Sequence, residues 1–201
     1  DKYAQIKKSG TGIIETQWKT KKGKIIDILL SSTAIDKKDL TKGVTFTALD
    51  ITDRKQARRE LERSEELFRS LYENASIGIY RTTPGGKILM ANPAAVRMLG
   101  FKSFKELSKR NLEKLGFELS YSRQDFLNRF KNNDIVIGME STWIKKDGNP
   151  VYVRESAKAI RDKNNKILYF DGTFEDISAS KESEQKLKSS EARMHHLLTS
   201  T

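Results

Sequence analysis

The 201-residue sequence contains no cysteine, only three prolines and two histidines, and no long apolar run. The absence of cysteine excludes disulfide bonds, thiolate metal sites, cysteine nucleophiles and covalent cysteinyl–flavin adducts. No stretch approaches the ~18 apolar residues that a membrane-spanning helix needs, and residues 1–10 lack the apolar core of a signal peptide. These absences favour a cytoplasmic chain.

Charge of both signs is abundant. The sequence has 38 Lys and Arg residues against 27 Asp and Glu residues, a formal net charge of +11. Binding to nucleic acid would need the positive charges gathered on one face, whereas they are spread along the whole chain. The densest basic cluster, residues 54–63, already contains Glu60 and Glu62. We therefore interpret the excess as solvated helix surface, with a basic nucleic-acid-binding protein as the alternative.

An internal repeat organises the sequence. Residues 18–23 (WKTKKG) recur as residues 143–148 (WIKKDG), an offset of 125. One residue is then gained in a turn, and residues 50–52 (DIT) recur as residues 176–178 (DIS), an offset of 126. A single length change in a turn is typical of duplicated modules, because surface turns tolerate length changes. The chain therefore holds the end of one unit, one complete unit and the opening of a third.

The periodicity of the complete unit changes from strand-like to helical and back. Residues 83–86 (TPGG) have the composition of a turn between two strands, and Asn92 and Pro93 fit the N-cap and first position of a helix. The order predicts an α+β domain, a five-stranded antiparallel sheet with short helices on one face. The predicted strands are 77–82, 87–91, 135–145, 151–161 and 166–177, and the predicted helices are 93–99, 104–109 and 123–131.

Four segments of this unit resemble the PAS family in order and spacing: residues 78–82 (GIYRT), 87–95 (KILMANPAA), 146–148 (KDG) and 172–178 (GTFEDIS). Residues 7–53 are similar to the three C-terminal strands of a second copy. The resemblance implies a tandem PAS sensory region of a bacterial or archaeal receptor such as a sensor histidine kinase. It implies sensing, dimerisation or signal relay without a catalytic centre in this chain. The parent receptor would be a histidine kinase or a diguanylate cyclase.

The expected organisation has four parts. Residues 1–53 form the C-terminal three-strand part of a first PAS domain, 54–76 a helical linker, 77–178 a complete PAS domain, and 179–201 a helical linker leading to a further module. In the PAS arrangement the last strand lies beside the first, so residues 44–51 would expose an unpaired edge. We expect a second chain, a swapped segment or further N-terminal residues to cover that edge.

The resemblance also bears on ligands. Haem-binding members of the family use a histidine on the helix that faces the sheet, but His195 and His196 lie beyond the domain. Neither histidine-ligated haem nor cysteinyl-flavin is therefore expected, and a noncovalent flavin or a small metabolite stays open. No metal site is expected. The candidate pocket residues on the inner surface are Ile79, Met90, Phe126, Phe130 and Met139; the alternative is that they fill an ordinary core.

Neighbouring residues on a strand point to opposite faces of the sheet. Arg154 and Glu155 are therefore separated by the sheet, and one of them faces inward or lies at an edge.

Both linkers place apolar or small residues at spacings of 4, 3, 4 and 3, the pattern of a heptad seam. A seam containing Ala and Ser is a weak coiled coil, suited to shifting between two packings. We expect a homodimer through the linker helices and the incomplete first domain. Packing of each helix on its own domain is the alternative. The seam residues are Ala57, Leu61, Ser64, Phe68 and Leu71, then Ser183, Leu187, Ser190, Met194 and Leu197.

The resemblance implies that the end of each last strand couples the sheet to the following helix. Thr52 and Ser178 are candidate helix N-caps, because their hydroxyls can accept from helical N–H groups. The residues assigned to coupling are Asp50, Ile51 and Thr52, with their counterparts Asp176, Ile177 and Ser178.

Overall fold

The structure, a computed structural model, describes residues 2–114, 116–117 and 122–199. Two compact units follow one another along the chain, residues 1–68 and 69–201. The first unit opens with helix α1 (Lys2–Ser9). Its strands are β1 (Thr11–Lys19), β2 (Ile25–Ala34) and β3 (Val44–Asp50), and helix α2 (Thr52–Asn74) follows directly.

The three strands of the first unit form an antiparallel sheet in the order β1-β2-β3. Its register places Trp18 opposite Ile26 and Ile28 opposite Asp50. Ile28 is buried, as is Ile6 of α1. In the described part of the chain, β3 pairs only with β2, and residues 45–50 are exposed. The structure therefore presents β3 as an edge strand of this sheet.

The second unit is an α+β domain whose five described strands form one antiparallel sheet in the order β5-β4-β8-β7-β6. The first and last strands of the unit are neighbours in its centre. This confirms the fold predicted from the periodicity. The elements are β4 (Gly78–Thr82), β5 (Ile88–Ala91), α3 (Pro93–Met98), α4 (Phe104–Leu107), α5 (Arg123–Arg129), β6 (Ile135–Ile144), β7 (Pro150–Arg161), β8 (Ile167–Asp176) and α6 (Ser178–Thr199).

The turn and helix-cap residues predicted from the sequence adopt the expected local conformations. Gly86 closes the β4–β5 turn with a φ of 77°, a conformation that costs glycine little. Asn92 caps α3 by accepting a hydrogen bond from the Ala95 N–H, and Pro93 occupies the first turn. Gly148, with a φ of 86°, ends the hairpin turn between β6 and β7.

The core of the second unit lies between the short helices and one face of the sheet. Along β4, β7 and β8 alternate residues are buried, as expected for a sheet covered on one side. The larger cluster includes Tyr80, Trp143 and Phe174. A second cluster joins Phe126 of α5 and Phe130, which caps the end of α5, to Phe170 of β8.

Candidate functional site

An inner cavity of about 30 Å³ lies within the larger cluster of the second unit. That volume holds about one or two water molecules. Its described walls are mainly apolar and include Leu99, Leu107 and Phe174, together with the polar side chains of Tyr80 and Glu155. The packing at this site is therefore close to that of an ordinary core.

The polar part of the cavity wall includes a buried pair. The Tyr80 hydroxyl donates a hydrogen bond to Glu155 Oε1, and Glu155 is buried whereas Arg154 is exposed. Glu155 is therefore the member of the Arg154–Glu155 pair that faces inward. The Tyr80 ring lies directly over Gly172 of β8, where a Cβ atom would overlap the ring. Glycine at 172 thus makes room for the tyrosine.

Arg123 connects α5 to the turn between β4 and β5. Its guanidinium donates to the Thr83 carbonyl at 2.9 Å and to the Thr82 hydroxyl at 3.3 Å. It also lies 4.6 Å from the centre of the Phe126 ring, within the range of a cation–π contact. The cavity therefore has a charged group on its wall that already has protein partners.

The described cavity wall includes none of the five residues expected from the sequence. Tyr80 is buried on the inner face of β4, and because neighbours alternate, Ile79 lies on the other face. Met90 is half-buried on β5. Phe126 and Phe130 belong to the second cluster, and Met139 packs against it.

Among the wall residues, sequence reasoning missed Tyr80 and Trp143, and it left Glu155 as one of two alternatives for the inward position. Trp143 appeared in the repeat only as a landmark of the β6–β7 hairpin. The alternation of Gly78, Tyr80 and Thr82 indicates that these three residues face inward. Ile79 lies between them, however, and its apolar side chain also suits a buried position. The register against β8 decides between them.

The junction between β3 and α2 is tied to the sheet by a chain of hydrogen bonds. The Thr52 N–H donates to Asp50 Oδ1 at 2.9 Å, and the Thr52 hydroxyl donates to the same oxygen at 2.6 Å. The Asp27 N–H of β2 donates to the Thr52 hydroxyl at 2.9 Å. The hydrogen bond from the Thr52 hydroxyl lowers the pKa of Asp50. Ile51 between them is buried.

The junction between β8 and α6 repeats this arrangement. The Ser178 N–H donates to Asp176 Oδ1 at 2.9 Å, and the Tyr152 N–H of β7 donates to the Ser178 hydroxyl at 3.1 Å. The Ile177 N–H donates to the Tyr152 carbonyl at 2.8 Å, as the Ile51 N–H does to Asp27. The structure therefore brings the predicted coupling residues together in both copies.

The N-cap role expected for Thr52 and Ser178 falls one residue earlier. The carbonyls of Ile51 and Ile177 accept the first helical hydrogen bonds, from the N–H groups of Lys55 and Lys181, both at 2.9 Å. The residue whose carbonyl accepts the first such bond is the N-cap. The two hydroxyls instead bond across to the neighbouring strand, and the preceding aspartates accept from the first helical N–H.

An ion pair adds a side-chain connection at each junction. Lys55 Nζ lies 2.7 Å from Glu15 Oε2 of β1, and Lys181 Nζ lies 2.6 Å from Glu140 Oε2 of β6. Sequence reasoning missed both glutamates. They share the 125-residue offset of their strands, which was the available signal.

The predicted seam is exposed where its side chains are described. No described residue of α2 is buried, and Leu61 is 60% exposed. On α6, Leu187 is exposed as well. Met194 and Leu197 lie within α6, but their side chains, like those of His195 and His196, fall outside the described residues. Packing of α2 on its own sheet therefore does not bury the seam.

Two other kinds of site are absent from the described ranges. No group of three or more His, Asp or Glu side chains there is arranged to hold a metal ion. None of the helices in that part of the chain is long and apolar enough to cross a membrane.

Comparison with known proteins gives a family match. The model of the PAS fold family matches residues 66–177, more than half of the chain. A relative, the sensor histidine kinase TmoS of Ectopseudomonas mendocina, is 24% identical over 134 residues. The match covers 66% of this chain but only 14% of the relative.

Two solved structures are similar. The PAS domain of an HTR-like protein from Haloarcula marismortui is 19% identical with a TM-score of 0.49, covering 61% of this chain and 99% of that one. A domain of a sensory box sensor histidine kinase/response regulator from Geobacter sulfurreducens is 22% identical with a TM-score of 0.46, covering 58% and 96%.

Proposed function

This chain belongs to the PAS fold family, and from that premise we propose that it is a sensory and signal-relay module of a larger receptor. PAS domains are typical of sensory signal transduction and are not themselves catalytic, and the relative TmoS is a sensor histidine kinase. In this proposal the chain is a cytoplasmic part of a two-component receptor. It passes conformational change along α2 and α6 to a module that carries the catalytic activity.

The observation that carries the proposal is the repeated junction. In both copies an aspartate accepts from the first helical N–H, and a hydroxyl accepts from the neighbouring strand. A helix that is continuous with a sheet through several bonds must follow a movement of that sheet. The same design in two copies supports a relay in series.

The exposed seam supports dimerisation as the form in which the relay works. An apolar seam on a long surface helix gains stability when a second helix covers it. Leu61, Phe68 and Leu71 supply this seam on α2, and all three are exposed. A second chain would also cover the edge of β3. A purely structural dimerisation role is the competing interpretation.

A small ligand, in this proposal, acts through the inner cavity of the second unit. At about 30 Å³ the cavity admits little more than water. A larger ligand therefore selects a conformation in which the packed walls have separated. The Tyr80–Glu155 pair would supply the polar contacts.

Native mass spectrometry of the purified chain tests this proposal. The expected species is a dimer, twice the 23.0 kDa of one chain, together with any retained ligand. The double substitution Leu61→Lys and Phe68→Lys is expected to convert the dimer to monomer at concentrations where the wild type stays dimeric, because it places like charges in the seam. A wild-type monomer at all concentrations would refute dimerisation through the seam.

The matched control is Gln56→Lys. It adds the same side chain to the same exposed helix, and helical geometry places it away from the Leu61 row. The dimer is expected to persist in this variant. Dissociation in the control as well would mean that net charge, not the seam, governs association.

A further inference from the structure

The first clamp is the ion-pair cluster at the start of α2. Lys55 Nζ contacts Glu15 at 2.7 Å and Asp27 Oδ1 at 3.4 Å. The lysine side chain is 26% exposed and that of Asp27 only 12%. The hydrogen bond from Lys55 lowers the pKa of Glu15. One helical lysine is thus held by carboxylates from two adjacent strands.

The second clamp begins α6 with the equivalent lysine but a different set of partners. Lys181 contacts Glu140 at 2.6 Å, Glu140 contacts Arg154 at 3.0 Å, and Arg154 contacts Glu175 at 2.8 Å. The register places Glu140 opposite Arg154 and Arg154 opposite Glu175. The hydrogen bonds from Lys181 and then Arg154 lower the pKa of Glu140. A charged row therefore crosses three strands and ends on the helix.

The two clamps diverge at matching positions. Where the second copy has Arg154 and Glu175, the first has Leu29 and Leu49 at the same register. The first clamp relies instead on Asp27, whose counterpart in the second copy is Tyr152. Both copies have the lysine and its strand glutamate, but the other charged residues around this ion pair differ between the copies.

We propose that Lys55 and Lys181 are positioning residues that fix the direction in which α2 and α6 leave their sheets, and that the second clamp is released at lower salt than the first. This inference rests on the proposed relay function. Each lysine lies one turn into its helix and contacts a strand that does not lead into it, so the contact limits rotation about the junction. Without the lysine contact, the backbone hydrogen bonds at the junction would restrict this rotation less.

The difference in salt response follows from exposure. Salt screens exposed charges over a Debye length of about 10 Å at 0.1 M and about 3 Å at 1 M, and screens partly buried pairs much less. Lys181 and Glu140 are 40% and 39% exposed. In the first clamp Glu15 is 49% exposed, but Lys55 is only 26% and Asp27 only 12% exposed, so that lysine keeps one shielded partner. The charged row of the second clamp is therefore the one that ionic strength weakens first.

Distances between paired spin labels test the proposal. The chain has no cysteine, so two introduced cysteines are labelled without background. One pair, Lys21→Cys with Glu65→Cys, reports the exit of α2 from its sheet. The other, Lys163→Cys with Gln185→Cys, reports the exit of α6. Dilution with an excess of unlabelled chain removes distances between protomers.

In low salt we expect Lys181→Met to broaden and shift the α6 distance distribution, and Lys181→Arg to keep it as in the wild type. Raising the salt from about 0.1 M to about 1 M is expected to broaden the wild-type α6 distribution while the α2 distribution changes less. Lys188→Met is the matched control, because it removes an equivalent ion pair, with Glu184, that lies within α6. It is expected to leave the distribution unchanged.

An α6 distribution in Lys181→Met that matches the wild type would overturn the positioning role. Equal salt responses of α2 and α6 would overturn the ranking of the two clamps. Neither readout depends on a dimer, so failure of the clamps is separable from failure of the seam. If the protein is monomeric but the spin-label distances respond to Lys181→Met and to salt as expected, only the dimeric relay would be refuted.

Discussion

Asn92→Ala is expected to lower the free energy of unfolding of the second unit by about 3–5 kcal/mol, because one fully buried side chain satisfies four backbone groups. Asn92 Oδ1 accepts from the N–H groups of Ile79 and Ala95, both at 2.9 Å. Its amide nitrogen donates to the carbonyls of Tyr72 at 3.1 Å and Ile77 at 2.9 Å. Alanine leaves these groups unsatisfied, and each buried unsatisfied group costs ~1–3 kcal/mol. Urea-induced unfolding measures the loss.

Ser103→Ala is the matched control for this prediction. Ser103 caps α4 by accepting from the Glu106 N–H, but it is exposed. Loss of such a cap costs about 1 kcal/mol. Equal losses in the two variants would mean that Asn92 acts only as a helix cap and does not join the end of α2 to β4.

Phe170→Ala is expected to cost about 3–5 kcal/mol, the range for removing a buried phenylalanine. Phe170 is fully buried in the centre of the sheet. Its ring centre lies 4.8 Å from that of Phe130 and 5.2 Å from that of Phe126. Alanine leaves a cavity between α5 and β8 that these two rings cannot fill. The measurement is again the free energy of unfolding.

Two further variants keep this prediction testable. Phe170→Leu retains much of the apolar volume, and its expected loss is smaller, about 1–2 kcal/mol. Leu168→Ala alters the same strand at a side chain that is 43% exposed, so it is expected to cost well under the Phe170→Ala value. Similar losses at 168 and 170 would contradict the full burial of Phe170 in the second cluster.

The fold of the second unit could be predicted from the sequence because its signals are local. The alternation along residues 150–161 marks a half-buried strand, and the glycine turns end strands at the expected places. Asn92 illustrates what local sequence signals do not predict. Its role as a helix cap could be predicted, but its bonds to Tyr72, Ile77 and Ile79 depend on tertiary packing, which periodicity does not report.

The inner wall was harder to predict, since it depends on the register of one short strand. Ile79 and Tyr80 are adjacent and both suit a buried position, and a one-residue slip exchanges the faces. The pairing of Tyr80 with Gly172 settles the choice, because only glycine accommodates the ring at that point. Glu155 was one of two alternatives, and its burial follows from the bond with Tyr80.

The junctions were located by the repeat but only partly explained by it. Asp50 and Asp176 were predicted to act there, and their bonds to the first helical N–H groups are seen in both copies. Glu15 and Glu140 come from strands distant in sequence, so no local pattern connects them with Lys55 or Lys181. Contacts between long side chains of different helices and strands can be found only in the three-dimensional structure.

In each unit, the sheet and the first turn of the helix that follows it are expected to move as one body. Hydrogen exchange followed by mass spectrometry tests this most directly, comparing residues 51–56 with β3 and residues 177–182 with β8. The amides of Lys55 and Lys181 are expected to exchange at the rates of the strands before them, in both copies. First-turn amides that exchange as fast as the exposed middle of each helix, while the strands stay protected, would contradict it.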